Sequence, residues 1–413
     1  LFRSYYPRNV CTNCMSTDPF EDMEDNILLN QHVLTEDYQP EVILERDEEI
    51  DDYRFSLRHV LNGRQPENIM LYGKAGLGKT AVTKYMMDAL QAKVAENDDI
   101  DDLHVHQKNC NGQSLFMVVR SLVNDLLPDH ASAFPKRGLG TGDAFEELYT
   151  QLDRIGGTHY LIFDEIDHLD KVNTLLYELP RARSNNRITN CRIGIIGISN
   201  KYTFRKSLSA KVKDTLMETE ISFSPYDAHE LRTILRDRAD RAFVDGGCDD
   251  SAIKMAAAVS ASDMGNARQA IDLLRMGAEV AERNGDPCIT DDHIDEAREL
   301  VQRGRLKNRV RDQTQHAQLI LEAIARLQTH GKVPVRSKVI KRQYESVANS
   351  WNHDPLTTLK SIQDHLSELH MLGFLSRRDN NQGVSGGQYY EYELDMEPEI
   401  IINTRTEVEA NEE

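Results

Sequence analysis

The chain has 413 residues, enough for about two or three domains, and a formal net charge of −19. No apolar run reaches the length of a membrane span and no signal peptide opens the sequence, so a cytoplasmic protein with no membrane partner is expected. The acidic total argues against nucleic acid, yet residues 305–378 hold 13 Lys/Arg against 6 Asp/Glu, which leaves the remainder at −26.

Six scattered cysteines (Cys11, Cys14, Cys110, Cys191, Cys248, Cys288) suit a reducing compartment better than a disulfide framework. Cys11 and Cys14 form a lone Cys-x-x-Cys, and four ligands make a structural zinc site, so two ordinary thiols are the favoured reading.

Residues 1–33 are polar and aperiodic and read as a poorly ordered extension. After Pro40 the apolar residues up to Leu61 take helical spacing. Asn68 to Tyr72 then reads as a buried strand, and Gly73-Lys74-Ala75-Gly76-Leu77-Gly78-Lys79-Thr80 matches the phosphate-loop pattern at every fixed position. Ala81 to Leu90 reads as the helix behind it. In that context the glycines turn backbone N–H groups toward phosphate oxygens, Lys79 neutralises the β- and γ-phosphates, and the Thr80 hydroxyl ligates Mg²⁺.

Leu103 to Lys108 reads as a second strand and Ser114 to Leu127 as a helix. A Pro/Gly-broken turn with Lys136 and Arg137 leads to another helix. Tyr160 to Phe163 is an apolar strand ending in Asp164 and Glu165. At a strand's carboxyl end beside a phosphate loop, Asp164 would hold Mg²⁺ through water and Glu165 would polarise an attacking water. An acidic helix cap is the alternative. A fourth strand, Ile193 to Ile198, ends at Ser199-Asn200, where Asn200 is placed to bond the γ-phosphate or lytic water; Ser-Asn also simply begins a turn. Ile221 to Phe223 makes a short fifth strand.

After Ser224-Pro225-Tyr226 the strands stop, and helices are expected at 231–243, 251–260, 267–283 and 291–303. Arg268 opens the third of these, placed to reach back toward a phosphate or to make a surface salt bridge. A basic stretch at 304–312 reads as a linker. Three amphipathic helices follow, near 319–327, 337–349 and 357–372. Phe374 to Arg378 and Gln388 to Leu394 then form a hairpin around a Gly-rich turn. Three helices and a hairpin make a winged helix-turn-helix at 313–396. Its third helix, which carries Lys360, would enter the major groove, with Arg377 and Arg378 on the wing; a winged helix serving only protein contacts is the alternative. The tail from Glu397 is acidic and expected to be disordered.

With "DYQPEVILERDEEI", "LIFDEIDHLD", "IIGISN", "ISFSPYDAHELRTIL" and "GNARQAIDLLRMGAEVAE" in this order, the chain resembles archaeal replication initiators of the origin-recognition and cell-division-control type. The resemblance implies an AAA+ fold: an α/β base with a parallel sheet (34–223), a helical lid (224–303) and a C-terminal winged helix. It implies ATP and ADP bound with Mg²⁺ through Gly73 to Thr80, Ala81, Tyr226 and Arg268, with Asp164 on the metal and Glu165 and Asn200 as catalytic groups. The implied function is a slow ATPase that recognises double-stranded origin DNA and helps recruit the replicative helicase, beside other initiator copies in the nucleoid. The implied DNA contacts are Lys136, Arg137, Lys360, Arg377 and Arg378. A nucleotide-bound winged-helix regulator of transcription is the rival reading.

Two positions depart from the family pattern. Asn266 stands where the family usually has Asp, and Lys211 stands where it carries an arginine able to act on a neighbour's nucleotide.

Overall fold

The computed structural model describes residues 27–381 and 388–412, and the chain divides between Asp295 and Glu296 into two compact units. Cys11, Cys14 and most of the Gly-rich turn lie outside the described residues.

In chain order the first unit contains α1 (Asp47–Leu61), β1 (Ile69–Tyr72), α2 (Lys79–Ala95), β2 (Leu103–Asn109), α3 (Leu115–Leu126), α4 (Thr141–Ile155), β3 (Gly157–Asp164), α5 (Val172–Glu178) and β4 (Cys191–Ser199). Two short helices, α6 (Phe204–Ser207) and α7 (Ala210–Leu216), precede β5 (Thr219–Ser222). Then come α8 (Ala228–Ala242), α9 (Asp250–Asp263) and α10 (Ala267–Asn284). The strands form one parallel sheet in the order β2-β3-β4-β1-β5, with Ile69 opposite Ile196 and Phe163 opposite Gly197. The near-continuous apolar runs of β1, β3 and β4 are buried on both faces, as helix-covered parallel strands require. Leu115, Leu122, Leu148 and Phe163 share the core cluster beneath α3 and α4. Parallel order brings the carboxyl ends of β1, β3 and β4 to one edge, so three sequence-distant motifs converge there.

α8 starts with a reciprocal cap: the Asp227 carboxylate accepts from the His229 and Glu230 N–H groups, and Glu230 accepts from the Asp227 N–H at 2.7 Å. Two expectations fail at the front of this unit. Within the stretch read as a poorly ordered extension, Ile27 is fully buried, Leu28 bridges Phe243 and the Leu29 N–H donates to the Ala242 carbonyl at 2.8 Å. Ile27, Val33 and Leu34 find cover on the lid helices, which no local periodicity signals. Likewise, the helix expected after Pro40 begins only at Asp47; the residues before it run irregularly along the cavity described below.

α11 (Asp291–Arg311) is one helix, so the stretch at 304–312 read as a linker is helical through Arg311. The second unit continues with α12 (Gln315–Thr329), β6 (Val335–Arg336), α13 (Ser337–Ser350), α14 (Leu359–Met371), β7 (Leu375–Asn381), β8 (Gln388–Leu394) and α15 (Pro398–Glu412). β6 joins the hairpin in an antiparallel sheet of order β6-β8-β7. Three helices and a hairpin are present as expected, with the third helix at α14.

The tail is not disordered: from Pro398 it forms α15, which packs on α12. Ile401 joins the core, and Arg405, 1 % exposed, donates to the Gln318 side chain at 2.8 Å and pairs with Glu322 and Glu409. The acidic composition hides one apolar stripe and one buried cation, and these dock the helix.

Candidate nucleotide-binding site

A cavity of ≈ 750 Å³ opens at the carboxyl edge of the parallel sheet. Ala75, Gly76, Gly78, Lys79, Thr80 and Ala81 line it from the phosphate loop, Asp164 and Glu165 from the end of β3, and Asn200 from the end of β4. Tyr226 and Arg268 line it from the lid side. Gly73, Lys74 and Leu77 belong to the loop without lining the cavity. The first two turn their carbonyls toward Lys79, and the Leu77 side chain is buried beneath the loop.

Gly76 and Gly78 adopt φ values of 78° and 87°, a region costly for side-chain-bearing residues. A Cβ at Gly76 would lie 1.8 Å from the Asn266 side chain, and the Gly76 carbonyl accepts the Ala267 N–H at 3.2 Å. Only glycine therefore lets the lid close onto the loop here. Asn266 caps α10 by accepting the Gln269 N–H, so the departure from Asp keeps the cap.

The Lys79 ammonium donates to the Gly73 and Lys74 carbonyls, both at 2.7 Å, and to Asn200 Oδ1 at 3.0 Å. Burial lowers its pKa to about 8, against the opposing pull of Asp164 and Asp167. Thr80 Oγ1 donates to Asp164 Oδ2 at 2.8 Å, so the two groups expected on Mg²⁺ touch. Their oxygens, with phosphate, suit a hard cation. Glu165 sits at φ 52°, and its buried Oε2 has no hydrogen-bond partner among the described residues. An unspent carboxylate oxygen, held at a cavity by a costly backbone conformation, suits a water-polarising base.

Arg268 Nε lies 3.5 Å from Glu36 in an exposed pair, so the salt bridge is made by a residue that lines the cavity. Lys211, on α7, stands over the Tyr177 ring at 3.9 Å and lines no part of the cavity. Lys136 and Arg137 lie exposed in the loop between α3 and α4. The remaining basic candidates belong to the second unit. Arg378 pairs with Glu393 at 2.9 Å, Arg377 stacks on Tyr390, and Lys360 is exposed on α14.

Sequence reasoning missed two residues. Arg46, 4 % exposed, donates to the Leu77 and Ser224 carbonyls, pairs with Glu49 at 3.0 Å, and lies 3.5 Å over the Tyr226 ring. It ties the phosphate loop to the base–lid junction. Asp167 accepts the Asn200 N–H at 3.2 Å. Burial would raise this carboxyl, but bonds from Asn200 and Lys201 hold it below the usual range. Local spacing marks neither residue, because the carbonyls that Arg46 binds lie 31 and 178 positions away and the Asn200 N–H that Asp167 accepts lies 33 away.

Three family descriptions match in order: "AAA domain" over residues 62–200, "Cdc6 AAA+ ATPase-type lid domain" over 232–299, and "CDC6, C terminal winged helix domain" over 308–404. The chain is 44% identical to ORC1-type DNA replication protein 8 of Halobacterium salinarum over 93% of this chain and 96% of that protein. It is 43% identical to ORC1-type DNA replication protein 11 of Haloarcula marismortui over 92% and 91%. Among solved structures, the Aeropyrum pernix Orc1 protein in complex with DNA superposes with TM-score 0.72 at 31% identity, covering 93% of this chain and 98% of that one.

Proposed function

Because this chain belongs to the family of ORC1-type DNA replication proteins, AAA+ ATPases with a Cdc6-type lid and winged helix, we propose that it is an ATP-regulated initiator. In this reading it marks double-stranded origin DNA and helps recruit the replicative helicase, working beside other initiator copies in the nucleoid. The observation that carries the reading is the convergence of Lys79, Thr80, Asp164, Glu165, Asn200 and Arg268 on one cavity in a chain that also has a winged helix.

The chemistry follows from the contacts. Lys79 exchanges its two loop carbonyls for phosphate oxygens while Asn200 keeps it aimed. Thr80 and Asp164 would hold Mg²⁺, which supplies charge neutralisation along the phosphates. Glu165 polarises water at the γ-phosphate, and Arg268 leaves Glu36 for phosphate, so the lid registers the nucleotide. Hydrolysis is slow and switches the state. A compact Lys211 ammonium already engaged with Tyr177 is a poor substitute for a forked arginine.

Genome-wide mapping of bound sites tests this. Protected repeats clustered at replication start sites support the initiator, whereas sites spread over promoters would sink it in favour of a transcription regulator.

A further inference from the structure

We propose that Asp167 is a positioning residue for the γ-phosphate: it grips Asn200 from behind, so that the Asn200 carboxamide tells a triphosphate from a diphosphate. This rests on the nucleotide-binding reading above and deepens it.

The local chain brings the two residues together. β3 and β4 run parallel with Phe163 opposite Gly197, so Asp167 and Asn200 follow neighbouring strands a few residues further on. After Asp164 the chain makes one 3₁₀ turn, Ile166–His168, closed by the His168 N–H on the Glu165 carbonyl at 3.0 Å. Ile166 is fully buried and packs against β4 at Gly197, where a Cβ would lie 3.5 Å from its side chain. With Ile166 fixed in the core, the next side chain, Asp167, meets the end of β4.

There Asp167 holds the loop at two points. Its Oδ1 accepts the Asn200 N–H at 3.2 Å, and its Oδ2 lies 3.2 Å from the Lys201 ammonium. The carboxylate is 1 % exposed, whereas Lys201 is 58 % exposed. Burying a carboxylate is costly, and a solvent-screened cation returns only part of that cost. Stability alone is a poor reason to place a carboxylate there.

The use lies on the other side of Asn200. Its Oδ1 accepts the Lys79 ammonium at 3.0 Å, and Asn200 lines the cavity while Asp167 lines no part of it. Asn200 is thus gripped at its N–H by Asp167 and spends its side-chain oxygen on Lys79. Its Nδ2 donates to no atom among the described residues. When nucleotide draws Lys79 toward phosphate, the buried contact behind Asn200 is untouched by ligand. Asp167 therefore fixes where the carboxamide points. A free amide donor aimed in this way suits a phosphate oxygen, and a diphosphate presents none at the γ position.

The test uses the full chain with Mg²⁺, titrated by calorimetry with a non-hydrolysable ATP analogue and, separately, with ADP. Asp167→Ala should weaken the triphosphate by roughly tenfold and leave ADP within about twofold, as Asn200→Ala should also do. Because Asp167 works through Asn200, the double variant should bind the triphosphate no worse than Asn200→Ala alone. Equal losses for both nucleotides, parent affinities for both, or additive losses in the double variant overturn this inference and leave nucleotide binding standing. Should the alanine variant melt early, amide exchange in the parent decides. The Asn200 N–H should stay protected with the triphosphate bound, and faster exchange there overturns the inference. A parent chain that binds neither nucleotide overturns both readings.

Discussion

At the scale of single residues, the site's chemistry turns on groups held away from their ordinary state. Lys79 has a pKa lowered to about 8 by burial, so above that pH the free protein holds it neutral and ATP binding must take up a proton. ATP affinity should therefore be level below about pH 8 and fall as pH rises past it, by up to about tenfold per unit. Calorimetry in buffers of different ionisation enthalpy would read the proton uptake directly. Lys79→Ala should abolish ATP binding and with it this pH dependence.

Glu165→Gln should keep ATP bound but unhydrolysed in single-turnover assays, since the amide fills the same space without polarising water. Lys211→Arg should raise DNA-stimulated turnover while Lys211→Ala changes it little. An arginine acting from a neighbour is worth roughly 10³–10⁵ in other phosphoryl-transfer systems. A tenfold loss in Lys211→Ala would instead make the lysine a working finger.

At the scale of elements, two buried arginines join pieces that local sequence leaves separate. Arg46 holds the phosphate loop, the Ser224 carbonyl and the Tyr226 ring together, with Glu49 as its counter-charge. Arg46→Ala strands that carboxylate and frees two carbonyls, so the nucleotide unit should lose about 3 kcal/mol in denaturant unfolding. Arg405 does the same for α15: it is buried against Glu322, Glu409 and Gln318, and the Trp351 indole donates to Glu322 at 2.9 Å. Arg405→Ala leaves the buried Glu322 to Arg326 and frees the Gln318 side-chain oxygen and Glu409, so it should cost the winged-helix unit about 1–3 kcal/mol.

At the scale of the whole molecule, nucleotide stabilises only what binds it. ATP at a hundred times its dissociation constant should add about 2.7 kcal/mol to the unit that contains Lys79, seen as a raised melting transition. Lys79→Ala should lose this shift, and Arg377→Ala should keep it.

The sequence by itself determined the phosphate loop, the Asp164-Glu165 and Ser199-Asn200 strand ends, the helices after Tyr226 and the winged-helix plan, since each rests on local spacing or on a motif with a fixed local geometry. It also located the basic stretch, because charge counts need no contacts. Tertiary structure alone decided the rest. Ile27 and Ile401 become buried because distant helices offer them cover, although each lies in a segment read as disordered. Asn200, 121 positions from Lys79, aims its ammonium only because β4 lies beside β1. Pairing, burial and the choice of counter-charge are long-range properties, and a chain's local pattern carries no record of them.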